Sequence, residues 1–450
     1  MSDHKLYTTT ETRNAETIID LAELLYEKGI LKESDLARIF SPGFESYDFS
    51  GNFPLDLLPE TAGFASESPE NIAVNEQKIY DFMNQNSITG QIIAAVSSIQ
   101  FCRYEISVES GTDVRIFSRI QDELCQLLKV KSIRIFYSED DHVCLEVPHT
   151  SKRFASIRRI LESGEWENSQ AVIPLAIGEN VSGEAVILDL AQIRNLLVVD
   201  SGKSGKGACL NSIMLSLLYK FSPDELQLIM YAPEQAISGI SRTLPHLSRP
   251  LLTTQEDIRE TFEELLHEIK IRRRIIAAAG VDDLTGYNAL VSAREKMPRI
   301  VLVFDDFADL KLYDNFIRIA QKGGDVGIHL IFATENADVK VVSGVIKKLF
   351  PARICFQTAT QIDSRIVLDA PGAEKLYGMG DMLMLTSQNC IPERIQGAFA
   401  ANEDVKKVAE IICDQMPQRF DTCVSSVVEH PDSRTRECCS GAAMIQHWKF

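Results

Sequence analysis

The run Asn195-Leu-Leu-Val-Val-Asp-Ser-Gly-Lys-Ser-Gly-Lys-Gly207 decides the fold, because a buried apolar strand passes directly into a loop of glycine, serine and lysine. The intact pattern of such a loop is G-x-x-x-x-G-K-[ST]. Its glycines let backbone N–H groups surround phosphate oxygens, its Lys neutralises the β and γ phosphates, and its final hydroxyl holds Mg²⁺. Gly205 and Lys206 stand at their expected positions, but Asp200 replaces the opening glycine and Gly207 replaces the hydroxyl residue. The run therefore predicts a site for ATP and Mg²⁺ in which binding is better preserved than hydrolysis.

The predicted nucleotide-binding residues follow the strand without a break. They are Ser201, Gly202, Lys203, Ser204, Gly205, Lys206 and Gly207.

A phosphate-binding loop needs an acidic partner at the end of a neighbouring apolar strand, and Arg299-Ile-Val-Leu-Val-Phe-Asp-Asp306 supplies it. Asp305 is predicted to hold Mg²⁺, directly or through water. Asp306 takes the place of a water-activating carboxylate; many such enzymes use Glu there, and losing one methylene retracts the base by about 1.5 Å. Glu335 follows a third strand at the position of a γ-phosphate sensor, where a carboxylate cannot donate a hydrogen bond as an amide does.

Size and composition indicate a multidomain protein that has no membrane segment. The chain has 450 residues, 45% of them apolar, which is enough for two or three domains with substantial cores. We find no apolar run near the roughly 20 residues that a membrane helix requires, and no signal-peptide pattern at the N-terminus, so we expect a cytoplasmic protein. The net charge of −18 argues against indiscriminate adsorption to nucleic acid, but it still allows a local basic track.

Changes in pattern along the chain predict four regions. Residues 1–71 contain a short helix at 15–27 and a linker rich in Pro, Gly, Ser and acids. Residues 72–170 alternate helical and strand patterns and predict a small α+β domain. Residues 171–416 repeat apolar strands separated by helical segments, which predicts an α/β domain with a parallel sheet. Residues 417–450 show little periodicity and predict a loosely ordered tail.

Further ordered motifs surround the loop over residues 54–411. The motifs upstream of the acidic pair are Pro54-Leu-Asp-Leu-Leu58, Gly183-Glu-Ala-Val-Ile-Leu-Asp-Leu-Ala191, Asn195-Leu-Leu-Val198, Leu215-Ser-Leu-Leu-Tyr219, Pro245-His-Leu247 and Gly286-Tyr-Asn288. The downstream motifs are Phe307-Ala-Asp-Leu310, Gly327-Ile-His-Leu330, Ile362-Asp-Ser-Arg-Ile-Val-Leu-Asp369 and Gly378-Met-Gly-Asp-Met-Leu383. Together these motifs resemble the FtsK/SpoIIIE family of double-stranded DNA translocases. They are more specific than the loop alone, because their order matches as well as their content.

The resemblance implies a fold and a partner that the residues alone do not give. The α/β domain would be a RecA-like P-loop NTPase core that follows the small α+β domain. Subunits would form a ring, usually hexameric, around duplex DNA, in the service of chromosome partition and cell division. Nucleotide would lie between subunits, with Arg365 reaching a neighbour's nucleotide and with Lys347 and Arg353 contacting DNA.

Departures from the family pattern fall where the chemistry is expected. The altered positions are Asp200, Gly207, Asp306, Gly324 and Glu335. Gly324 replaces an arginine, and an arginine that acts in trans contributes a factor of about 10³ to 10⁵ in phosphoryl transfer. A carboxylate at Asp200 about 4 Å from a phosphate would cost about 4 kcal/mol at an effective dielectric constant of about 20, unless the side chain points away.

Two functions remain open at this point. One is an ATP-driven double-stranded DNA translocase with slow hydrolysis. The other is a catalytically degenerate ring subunit with a structural or regulatory role, in a ring of its own or mixed with an active relative. A loop that is a relic and has lost its ligand belongs to the second reading.

Overall fold

The structure is a computed structural model. It describes residues 54–59, 69–109, 115–130, 132–137, 142–149, 154–202, 204–231, 244–305, 313–389 and 391–415. The predicted helix at 15–27 and the predicted tail at 417–450 lie outside these residues.

The first part of the described chain forms a four-stranded antiparallel sheet packed on helices. The sheet order is β1-β2-β4-β3. Its core includes Tyr104, Ile106 and Leu145 from the strands, packed against Ile79 and Leu124 from the helices. In chain order the elements are α1 (Pro69–Gln85), β1 (Gly90–Ser97), β2 (Phe101–Val108), α2 (Arg115–Arg119), α3 (Gln121–Leu128), β3 (Arg134–Tyr137) and β4 (Val143–Pro148).

The rest of the described chain builds a second, larger sheet with helices on it. Its first elements are β5 (Ala155–Ser156), α4 (Ile157–Leu161), α5 (Gly164–Glu167), β6 (Pro174–Asn180), β7 (Ala185–Asp189), α6 (Leu190–Ile193), β8 (Asn195–Val199), α7 (Lys206–Lys220) and β9 (Leu226–Tyr231). They are followed by α8 (Gln255–Ala278), α9 (Leu284–Leu290), β10 (Arg299–Asp305), α10 (Tyr313–Lys322), β11 (Ile328–Thr334), α11 (Gly344–Leu349), β12 (Ala352–Cys355), α12 (Gln361–Leu368), β13 (Asp381–Leu385), β14 (Glu393–Phe399) and α13 (Asn402–Gln415). Short 3-10 turns occur at Leu55–Leu57, Ala293–Glu295, Gly324–Val326 and Ala373–Lys375.

The larger sheet has a parallel centre and an antiparallel flank. Its order is β7-β6-β14-β13-β12-β8-β11-β10-β9, and β5 pairs with β14. Strands β9, β10, β11, β8 and β12 run parallel, as the apolar runs predict, because strands covered on both faces read as continuous apolar segments. Strands β13, β14, β6 and β7 add antiparallel partners that the sequence did not predict. The predicted α/β class is confirmed, whereas the predicted domain limits stay a prediction.

A buried cluster of charges joins the two sheets. The carboxylate of Glu146 on β4 is fully buried and pairs with Arg103, Arg134 and Arg394. Arg394 on β14 also donates to Asp381 on β13, with Nη2 2.6 Å from Oδ2. Its guanidinium carbon lies 4.0 Å from the ring centroid of Phe101. The small sheet is therefore tied to the larger sheet by ion pairs shielded from solvent.

Candidate nucleotide site

Three parallel strands end together and bring the predicted site residues to one edge of the larger sheet. In the ladder, Thr334 pairs with Val199 and Asp305 pairs with Ala333. The N–H of Asp200 donates to the oxygen of Thr334 at 3.0 Å, which fixes the start of the loop against β11. Ligands of open α/β sheets lie at these carboxyl ends, so register alone assembles the candidate site.

Close packing explains the glycines of the loop. A Cβ at Gly205 would lie 2.4 Å from Cε1 of Phe356, and a Cβ at Gly202 would lie 2.9 Å from the backbone oxygen of Gln357. The N–H of Gly380 donates to the oxygen of Ser204 at 2.7 Å. The loop is therefore seated on the segments that follow β12 and precede β13.

The carboxylate of Asp200 points into this loop. Its Oδ2 accepts hydrogen bonds from the backbone N–H groups of Ser204 at 2.7 Å, Gly205 at 2.8 Å and Lys206 at 2.9 Å. Its Oδ1 accepts from the hydroxyl of Ser204 at 2.9 Å. The residue is 1% exposed. The sequence also allowed an Asp200 side chain that points away from the loop. In the structure the side chain points into the loop and accepts hydrogen bonds from four donor groups.

The loop lysine pairs with the acid at the end of β10. Nζ of Lys206 lies 2.7 Å from Oδ1 of Asp305 and 3.5 Å from Oε1 of Glu335. The side chains of Lys206 and Asp305 are 11% and 6% exposed. The structure thus brings together three residues that the sequence assigned to one site.

The residues present do not fit a magnesium triphosphate in the usual way. Gly207 offers no hydroxyl to a metal, and the hydroxyl of Ser204 already donates to Asp200. A Cβ at Gly207 would meet no atom within 4 Å, so its lack of a side chain does not come from crowding. Three of the backbone donors that a loop of this kind offers to phosphate, those of Ser204, Gly205 and Lys206, are directed at Asp200.

Beside the loop lies a cavity of about 370 Å³ with an aromatic wall. The rings of Phe154 and Phe399 pack against each other there, with centroids 4.7 Å apart and planes tilted by 36°. Phe356 and Met379 are also part of the lining. Sequence reasoning missed these side chains, because Phe154 and Phe399 lie far apart in the chain and meet only through the pairing of β5 with β14.

The cysteine nearest the loop is not poised for chemistry. Burial, and secondarily the charge of Asp200, raises the pKa of Cys209 to about 12, so its thiol stays protonated at neutral pH. Cys355, at the end of β12, has its pKa raised by burial in the same way. Neither thiol is an available nucleophile.

The remaining predicted residues lie away from the loop or outside the described chain. Lys203 and Asp306 are not among the described residues. Arg365 on α12 is exposed and forms no ion pair with any described residue. Nζ of Lys347 lies 2.7 Å from Oδ1 of Asp369, and Nη1 of Arg353 lies 2.8 Å from Oδ2 of the same carboxylate.

Arg353 is turned inward. It is 9% exposed and also donates to the oxygen of Val367 at 2.8 Å. Lys347 keeps more of its side chain in solvent, so it is the more accessible of the two predicted DNA contacts.

Gly324, which stands where the family usually has an arginine, lies beside the side chain of Arg194. A Cβ at Gly324 would lie 3.0 Å from Cγ of Arg194, whose Nη2 pairs with Oδ1 of Asp325 at 2.7 Å. Arg194 therefore fills the space beside the glycine.

The sheet and the loop define the fold of P-loop ATPases. The coupling protein TcpA of pCW3 conjugation, solved in its monomer form with ATPγS, matches with a TM-score of 0.54 at 17% identity over 76% of this chain and 99% of its own. EssC ATPases 2 and 3 from Geobacillus thermodenitrificans match with a TM-score of 0.50 at 18% identity over 60% of this chain and 54% of theirs. At these identities the likeness concerns the fold.

Within that class, the chain belongs to the FtsK/SpoIIIE family. Residues 156–339 match the sequence model of the FtsK/SpoIIIE family, and residues 54–149 match that of the FtsK alpha domain. The resemblance predicted from the sequence motifs is confirmed.

Curated relatives agree with this assignment. DNA translocase FtsK of Clostridium tetani is 31% identical over 400 residues, which cover 86% of this chain and 53% of the relative. FtsK of Pseudomonas aeruginosa is 32% identical over 417 residues, covering 85% and 51%. DNA translocase SftA of Bacillus subtilis is 30% identical over 388 residues, covering 83% and 40%. The chain spans about half the length of the curated relatives it matches.

Among the residues that the structure describes, no helix combines the length and the apolarity that crossing a membrane requires.

Proposed function

We propose that this chain acts in the cytoplasm as a subunit of an FtsK-type ring on double-stranded DNA, in chromosome partition, with ATP hydrolysis that is lost. One observation supports the part of this proposal that concerns ATP hydrolysis. Three backbone amide donors of the loop and the Ser204 hydroxyl are directed at Asp200, while Gly207 has no side chain to offer a metal. Transition-state charge in phosphoryl transfer is stabilised by such donors and by the metal.

Family membership supports the part of the proposal that concerns action on double-stranded DNA. The curated relatives are named DNA translocases, and 83–86% of this chain aligns with them. We propose a hexameric ring, of this chain alone or mixed with an active relative, in which the exposed Arg365 faces a neighbour's nucleotide. Lys347 is our candidate phosphate contact, and it would have to leave Asp369 to reach DNA.

A second candidate is a working translocase, and the pair of Lys206 and Asp305 favours it. Both residues are present and converge within 2.7 Å at the edge of the sheet. In this reading, the ring would hydrolyse ATP slowly with DNA bound, and Asp305 would hold Mg²⁺.

Two measurements test the proposal. The first is fluorescence anisotropy of a labelled duplex with the purified full chain, with and without ATP. The second is steady-state ATP hydrolysis with and without duplex DNA, with Lys206→Ala as the matched control. We expect duplex binding together with turnover that is indistinguishable from that of the Lys206→Ala variant. DNA-stimulated turnover that the variant abolishes would establish the working translocase instead, and failure to bind duplex in any nucleotide state would refute both readings.

A further inference from the structure

The donors around Asp200 are arranged as for an anion. Three consecutive backbone N–H groups, from Ser204 to Lys206, converge on one carboxylate oxygen at 2.7 to 2.9 Å. The last of them opens helix α7, whose aligned peptide dipoles favour negative charge at this end. Asp200 supplies that charge covalently and is almost fully buried there.

We propose that Asp200 is a resident anion that takes the place of a nucleotide phosphate in the loop. A carboxylate offers two oxygens with the planar geometry and charge that backbone amides accept, and each amide has a single hydrogen to donate. A phosphate that entered the loop would have to displace Asp200 from these donors. It would also leave the displaced carboxylate close to a like charge in a site with little solvent.

This inference deepens the proposed function, since it concerns the same site and states what limits it. The loop lacks a metal ligand. In addition, three of its backbone amides already donate to its own residue Asp200. Nucleotide affinity should then depend little on phosphate, because the amide donors of Ser204, Gly205 and Lys206 are already in use.

The cavity beside the loop extends the inference to ligand preference. Its apolar wall, with Phe154 and Phe399 at 4.7 Å, suits the flat face of a nucleobase. A purine nucleoside can therefore use the aromatic wall without disturbing Asp200. We therefore predict that the site binds the base and sugar of a nucleotide. Its affinity for adenosine, which has no phosphate, should be similar to its affinity for ATP, which has three.

The test is isothermal titration of the full chain with ATP and with adenosine, without DNA, for the wild type and for two variants. In the wild type we expect the two ligands to bind with affinities within tenfold of each other. In Asp200→Gly, which frees the amides, we expect ATP to bind at least tenfold more tightly than to the wild type while adenosine affinity is unchanged. Asp200→Asn should fall between them, because its amide keeps an acceptor but loses the charge.

Asp224→Asn is the matched control. It removes one exposed carboxylate before β9, at the amino ends of the parallel strands and thus at the edge opposite the loop, and it should leave both affinities unchanged. A thermal melt of each protein checks that it is folded.

Two results would overturn the inference. One is a wild-type protein that binds ATP more than tenfold more tightly than adenosine, which can be measured even if neither variant folds. The other is an Asp200→Gly variant that is folded and shows no gain in ATP affinity. Loss of duplex binding would count against the proposed function alone, because no DNA is present in this titration.

Discussion

Nζ of Lys206 lies 2.7 Å from Oδ1 of Asp305, and both side chains are nearly buried. A loop lysine usually meets phosphate, but here its charge has a protein partner. We therefore predict that Lys206→Met destabilises the fold, because it removes a cation that pairs with the nearly buried carboxylate of Asp305. Removing one member of a buried pair costs about 3 to 5 kcal/mol, and the residual exposure here favours about 2 to 3 kcal/mol. Urea unfolding measures this loss.

The double variant Lys206→Met with Asp305→Asn separates this effect from loss of packing. Because it removes both charges, it should recover most of the lost free energy. Lys407→Met, an exposed lysine on α13, is the control and should leave the urea midpoint unchanged. Equal midpoints for Lys206→Met and the control would show that the pair contributes nothing to stability.

The buried cluster around Glu146 predicts acid sensitivity. Burial alone would raise the pKa of Glu146, but the guanidinium groups of Arg394, Arg134 and Arg103 outweigh it and hold the pKa at about 2, below its ordinary 4.5. A carboxyl whose folded pKa is depressed contributes stability that is fully present above pH 4.5 and is lost as the pH falls toward 2. The contribution is about 3 kcal/mol.

Glu146→Gln should remove that contribution at neutral pH and flatten the stability profile between pH 4.5 and 2. Urea midpoints measured across this range provide the test. Glu109→Gln alters an exposed carboxylate after β2 and should reproduce the wild-type profile. A Glu146→Gln profile as steep as that of the wild type would assign the acid sensitivity to other groups.

Sequence reasoning succeeded where local pattern determines structure. Strands β8 to β11 are continuous apolar runs, and they form the parallel strands that those runs predict. The site followed from them, because parallel strands bring Lys206, Asp305 and Glu335 to one edge. The flank of β13, β14, β6 and β7 was not predicted, since its pairing joins segments distant in the chain.

The orientation of Asp200 could not be read from the sequence either. An aspartate in a phosphate loop signals a conflict of charge, but two outcomes satisfy that signal: a side chain turned to solvent or one turned to the amides. The choice depends on hydrogen-bond geometry that appears only once the loop is folded against Phe356 and Gly380. For the same reason the sequence marked Arg353 as a DNA contact, whereas its burial against Val367 and Asp369 became visible in the fold.

Two glycines of the loop should respond in opposite ways to alanine. At Gly207 the added methyl meets no atom within 4 Å, and alanine favours the helix, so Gly207→Ala should stabilise by about 0.5 kcal/mol. At Gly205 the methyl would lie 2.4 Å from Phe356, so Gly205→Ala should destabilise by about 1 to 3 kcal/mol. Urea midpoints of the two variants measure both effects, and changes of the same sign would contradict the packing of the loop on Phe356.

Lys347 and Arg353 both pair with Asp369, but we predict that Lys347 contacts DNA and that Arg353 stabilises the fold. Lys347→Ala should leave the urea midpoint nearly unchanged, because the pair is partly solvated, with side-chain exposures of 22% and 59%. If Lys347 contacts phosphate, the variant should reduce the slope of log K for duplex binding against log salt by about 1. Arg353→Ala should lower the free energy of unfolding in urea by about 1 to 3 kcal/mol, since it removes the donor to the oxygen of Val367. Its salt slope should match that of the wild type.

Anisotropy titrations of a labelled duplex at several salt concentrations measure the slopes, with Lys407→Ala as the control. A slope that falls for Arg353→Ala and not for Lys347→Ala would reverse the assignment and show that Arg353 leaves its buried position to meet DNA.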